Sequence, residues 1–144
     1  MTREFVTYEQ ALVLKELGFD EPCFGVYANG EFNELFVCGE QYYPKDPQET
    51  TNSYIIKTMA DSDLHFFSKT SCTAPLYQQA FRWFREKHGL NSYIYQRSNI
   101  TYRGVIHKNM KIAVNYTSDS SNYEEAEQAC LDKLIEIVKN ERQV

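Results

Sequence analysis

The sequence predicts an α+β fold, with three helices packed on an antiparallel or mixed sheet of five to seven strands. Three observations predict it. Two segments open with a helix-capping signature and continue with apolar residues at helical spacing. A third carries a broad apolar run behind a proline. Short β-like runs with brief connections lie between them. The order reads α-βββ(β)-α-βββ-α over one domain spanning residues 1–144.

The first helix is expected at Tyr8–Leu17. Thr7 is an N-cap residue with Gln10 three positions later, so side chain and backbone can satisfy each other's free donors. Ala11, Leu12, Leu14 and Leu17 form its apolar side. Gly18 follows as the left-handed stop, with Phe19 set to fold back on the last turn. Strands at Cys23–Tyr27 and Phe32–Cys38 follow. Asn29-Gly30 between them favours a two-residue turn, because both central residues must take positive φ. Gly39–Asn52 is polar and holds Pro44 and Pro47, which reads as an exposed loop. Ser53–Thr58 is β-like, and Leu64–Ser68 is its candidate partner.

The second helix is expected at Leu76–His88, entered through Thr73-Ala74-Pro75. Proline suits a first turn, where its missing N–H has no helical acceptor. Leu76, Tyr77, Ala80, Phe81, Trp83 and Phe84 cover more than one stripe, as in a helix central to the core. Gly89 ends it. Ser92–Arg97, Ile100–His107 and Met110–Tyr116 then read as strands. In the last, Met110, Ile112, Val114 and Tyr116 alternate with Lys111, Ala113 and Asn115, which predicts one core face and one wetter face. The third helix, Tyr123–Lys139, repeats the opening device with Asn122 as cap and Glu125 completing the box. Ala126, Cys130, Leu134 and Ile137 form its stripe, joined by Leu131 and Val138. The expected core contains Leu12, Leu17, Phe81, Phe84, Ile112, Val114, Cys130, Leu134 and Ile137.

Composition narrows the class. The chain of 144 residues is 42% hydrophobic and 15% aromatic, too apolar for a disordered chain. No apolar run approaches the ~20 residues of a membrane helix. The N-terminal residues show no apolar signal core, so the cytoplasm is the expected compartment. Cys23, Cys38, Cys72 and Cys130 form no C-x-x-C pair and no zinc-type spacing with His65, His88 or His107. In a reducing compartment they read as small buried side chains.

There is no phosphate-binding glycine loop, no G-x-S-x-G elbow and no H-E-x-x-H pair. Nothing in the spacing joins Cys72 to His88 or His107 as nucleophile and base. The expectation is a protein without catalytic activity and without a cofactor or metal.

Charge is uneven. Between Arg82 and Lys111 seven basic residues face Glu86 alone, a net of +6 inside a chain of −5. Trp83, Phe84, Tyr93, Tyr95 and Tyr102 interleave this span. Arg82, Trp83, Tyr95, Arg97, Arg103 and Lys111 are therefore the candidate ligand-binding residues, since cations beside flat rings suit an anionic ligand such as a nucleotide. The plainer reading stands beside it. Arg85, Lys87 and His88 complement the C-terminal end of the helix dipole, and Lys111 occupies the wet face of a strand. Overall acidity disfavours nucleic acid as a partner.

Three segments carry a resemblance. They are Thr7-Tyr8-Glu9-Gln10-Ala11 through Phe24-Gly25, Thr73-Ala74-Pro75-Leu76 through Glu86-Lys87, and Tyr123-Glu124-Glu125-Ala126 through Ile137-Val138. Together they resemble small uncharacterised proteins encoded by Bacteroidetes genomes and their phages. The resemblance implies a phage or prophage accessory setting and carries no catalytic residue, cofactor or activity. The expected function is therefore a non-enzymatic interaction module acting on a host or phage protein. The alternative is a protein that binds or sequesters an anionic small molecule.

Overall fold

The computed structural model describes residues 2–27, 35–37, 40–42, 55–57, 71–108 and 114–143. The fold is α+β, with three α-helices and antiparallel ladders among the described residues. It divides into two compact units, Met1–Leu76 and Tyr77–Val144.

In the first unit a short 3-10 turn, Thr2–Glu4, leads to α1, Tyr8–Glu16. The capping box forms as the residue spacing requires: the Gln10 N–H donates to Thr7 Oγ1, and the Thr7 N–H donates to Gln10 Oε1. At the other end Gly18 adopts φ +95°. The Phe19 N–H donates to the Leu14 carbonyl and the Gly18 N–H to that of Lys15, the double closure that a left-handed stop permits. Ala11, Leu14, Leu17 and Phe19 are buried. Leu12 is only half-buried, because Ala11 and Leu14 occupy the inward stripe and Leu12 lies about 100° round from Ala11.

Strands β1 (Gly25–Tyr27), β2 (Leu35–Val37) and β5 (Cys72–Ala74) form one ladder in the order β2-β1-β5. β3 (Glu40–Tyr42) and β4 (Ile55–Lys57) form a second. Tyr27 pairs with Leu35, whereas an unbroken ladder from a two-residue Asn29-Gly30 turn would pair it with Phe32. The turn itself lies outside the described residues, as do Cys38 and Leu64–Ser68. Glu40–Tyr42, read as loop from its polarity, is paired strand. Thr73 and Ala74 also pair with β1 rather than opening a helix. Pro75 ends that strand, and its carbonyl accepts from the Val6 N–H. Lys15 Nζ donates to the Ser71 carbonyl at 2.7 Å, tying α1 to the start of β5; burial lowers its pKa.

The second unit is α2 (Tyr77–His88), β6 (Leu90–Ser98), β7 (Thr101–Lys108), β8 (Val114–Tyr116) and α3 (Tyr123–Arg142). The strands form an antiparallel ladder in the order β6-β7-β8. α2 and α3 pack on each other and on this sheet. Tyr77, Ala80, Phe81, Trp83 and Phe84 are buried on α2, and Ala126, Cys130, Leu131, Leu134, Ile135 and Val138 on α3. Ile137 is half-buried; Ile135 is buried in its stead, beside Leu131, Leu134 and Val138, which are buried as expected. Gly104 is the seat for α3. A Cβ there would lie 2.8 Å from the Cys130 Cβ, so only glycine lets helix and strand approach this closely.

Asn122 caps α3 as expected, its side chain accepting from the Glu125 N–H at 2.8 Å. Glu125 does not close the box. Its carboxylate accepts from the backbone and hydroxyl of Ser121 instead, which lowers its pKa.

The described strands thus form three separate ladders, where the sequence reading expects one sheet of five to seven strands. Each three-stranded ladder is built round a central strand whose two neighbours come from its own unit: β2 and β5 flank β1, and β6 and β8 flank β7. Ile112 lies outside the described residues, and Val114 is described only as strand.

His88 at the end of α2 makes ring contacts with Trp83 and Phe84 at 4.9 and 5.7 Å. Its Nε2 is buried with no hydrogen-bond partner among the described residues. Burial lowers its pKa first; Arg142 on α3 and Lys108 on β7 lower it further, against Glu141. A basic group with a lowered folded pKa binds its proton more readily when unfolded. Its contribution is complete above the unfolded value near ~6.5 and is lost as pH falls through the folded one. Stability measured by urea unfolding is therefore expected to fall as pH drops below about 6.5. His88→Phe should flatten that slope, and an unchanged slope would place the dependence elsewhere.

Candidate functional site

The second unit's sheet has two unlike faces, set by the period of two along β7. Gly104 meets Cys130, the Tyr102 ring lies 6.1 Å from that of Tyr123, and Lys108 pairs with Glu141 at 2.6 Å. Even-numbered positions of β7 therefore face α3. Arg103, Val105 and His107 face the other way. Opposite them on that outer face stand Tyr95, Tyr93 and Asn91 of β6 and Tyr116 of β8.

Tyr93, Val105 and Tyr116 are cross-strand partners in one row. Tyr93 and Tyr116 are 54% and 56% exposed, while Val105 is buried. Tyr93 also meets the His107 ring edge-on at 6.4 Å. The alternation in β8 thus does not make Tyr116 a core residue: its face is the outer one, and its ring supports the Arg103 guanidinium 5.8 Å from the centroid.

Beside this row two arginines converge on one carboxylate. Arg97 Nη1 donates to Asp119 Oδ2 at 2.7 Å, and Arg103 Nε to Asp119 Oδ1 at 2.9 Å. Two one-residue slips in strand pairing make this possible. On one side of β7 the register shifts between Gln96↔Tyr102 and Ser98↔Thr101, with Arg97 at the shift. On the other, Val105 pairs with Tyr116 but Tyr102 bridges Ser120. That is one residue more than an unbroken ladder allows, and it turns Asp119 toward Arg103. A slip of one residue moves a side chain to the opposite face. The Tyr102–Ser120 bridge, with both N–H···O distances at 2.9 Å, holds Asp119 in place.

Of the six candidate residues the structure brings three together: Arg97, Arg103 and Tyr95, which pairs with Arg103. Arg82 is exposed on α2 and belongs to the helix layer. Trp83 is 3% exposed, packed against Phe84 and His88, so it is a core residue and presents no ring to a ligand at the surface. Lys111 lies outside the described residues. Arg85 and Lys87 occupy the last turn of α2, where dipole matching explains them. Asp119, Tyr93 and Tyr116 were missed as site residues. Tyr93 was legible as part of the aromatic interleaving; the position of Asp119 depends on a pairing slip that spacing does not reveal.

Cys23, Cys72 and Cys130 are buried, and burial pushes each thiol up to about 12. For Cys72, burial disfavours the thiolate, the form in which a cysteine acts as a nucleophile. Among the described residues no helix is long and apolar enough to cross a membrane, and no group of three or more potential ligands could hold a metal ion. No family model matches the chain, and no curated protein or solved structure is similar to it.

Proposed function

We propose that the chain is a non-enzymatic interaction module that docks a host or phage protein on the outer face of the β6-β7-β8 sheet. The carrying observation is the Tyr93–Val105–Tyr116 row, whose two rings are each more than half exposed on a rigid sheet. Exposed tyrosines next to arginines are the side chains that dominate protein–protein hot spots, because large rings bury area with little loss of side-chain freedom. The setting of host or phage rests on the resemblance of the helical segments.

The alternative, an anionic small molecule, is favoured by the convergence of Arg97 and Arg103 beside Tyr95. It is weakened because Asp119 already neutralises one of the two charges, and because Arg82 and Trp83 do not join them.

The test compares wild type with Tyr93→Ala/Tyr116→Ala as bait in lysate, with mass spectrometry of retained proteins and small molecules. Exposed positions such as these should leave stability within about 0.5 kcal/mol. The reading expects a stoichiometric protein partner retained by wild type and lost from the double variant. Equal capture by both baits, or an anionic metabolite as the sole retained species, would overturn it.

A further inference from the structure

We infer that the partner engages this face through an acidic side chain, whose carboxylate is received by the Arg97–Arg103 fork while Asp119 holds that fork in shape. The inference rests on the reading of the outer face as the docking surface and adds the chemistry of what docks there.

The donor inventory supports it. Each guanidinium carries five N–H donors. Among the described residues, Arg97 spends Nη1 and Arg103 spends Nε on Asp119, and neither donates elsewhere. Two cations against one carboxylate leave a local excess of one positive charge within a chain of −5. The arginines are also pre-set. The Arg103 guanidinium is placed by the Tyr116 ring and Asp119 together, and its side chain is 25% exposed against 51% for Arg97. A fork already held in one geometry loses less freedom when an anion arrives.

Shape and charge choose the class of occupant. The Tyr93–Val105–Tyr116 row crosses three strands, a span of roughly 10 Å at ~4.8 Å per strand. A broad sheet face suits a length of polypeptide, whereas small-molecule sites are concave. The planar, singly charged carboxylate matches the arginine fork. A doubly charged phosphate would meet stronger repulsion from Asp119.

The experiment titrates the full chain, by backbone amide NMR, with a capped hexapeptide of alternating Glu and Val. A matched peptide with Gln for Glu, inorganic phosphate and AMP are the comparison arms. The acidic peptide is expected to shift the amides of 93–103 and 116–119 and to bind about tenfold more tightly than the Gln peptide, less so as salt rises. Arg103→Gln should weaken it by about tenfold. Equal binding of the two peptides, or tighter binding of phosphate or AMP, overturns the inference. The two-peptide comparison on wild type stands even if a variant fails to fold. Indifference of both peptides to Tyr93→Ala/Tyr116→Ala would instead overturn the docking-surface reading.

Discussion

Phe84→Ala is expected to lower the free energy of unfolding by about 3–5 kcal/mol, through lost transfer energy and the cavity left behind. Phe84 is fully buried on α2. Its ring meets that of Trp83 edge-on at 5.0 Å and lies 5.7 Å from that of His88. Removing it strips packing from two neighbouring rings and leaves space that a helix fixed at both ends cannot close. Urea unfolding followed by far-UV circular dichroism reads the change. A loss below roughly 1 kcal/mol would mean that the residue sits at the surface and that the buried stripe of α2 is turned.

Gly104→Val is expected to cost about 3 kcal/mol, at the upper end for overpacking, because the crowded atoms lie in the core contact between β7 and α3. A Cβ at Gly104 would stand 2.8 Å from the Cys130 Cβ, 3.0 Å from its Sγ and 3.1 Å from Thr117 Oγ1. Thr117 cannot simply swing aside, since its hydroxyl accepts the Gly104 N–H at 2.8 Å. The clash is therefore relieved only by lifting α3 from the sheet or breaking that bond. The same unfolding measurement checks it. A stability unchanged within about 0.5 kcal/mol would show that the helix is not seated on this glycine.

The helices were legible because their signals are local. Thr7 with Gln10, Gly18 with Phe19, and Asn122 ahead of an apolar stripe each act within a few residues, so no distant contact is needed to decide them. β6 and β7 were legible for the same reason, as neighbouring runs with a short connection. Thr73-Ala74 was misread because its strand character comes from pairing with Val26 and Gly25, far away along the chain, whereas the helix expected just after Pro75 does begin there, at Tyr77. Glu40–Tyr42 was misread because its strand character comes from pairing with Ile55–Lys57, which polarity along the chain does not reveal.

The candidate site divides along the same line. The residues alone show that cations and rings crowd the span from Arg82 to Lys111, that the chain around it is acidic, and that three helices occur along it. Only the tertiary structure decided which of those cations meet. Helix rotation buried Trp83 and left Arg82 in the helix layer. Two single-residue slips, at Arg97 and before Ser120, let Arg97 and Arg103 meet on Asp119. A side-chain pattern of period two carries no mark of where such a slip occurs, because each slip is chosen by hydrogen bonding between strands rather than by the residues along either one.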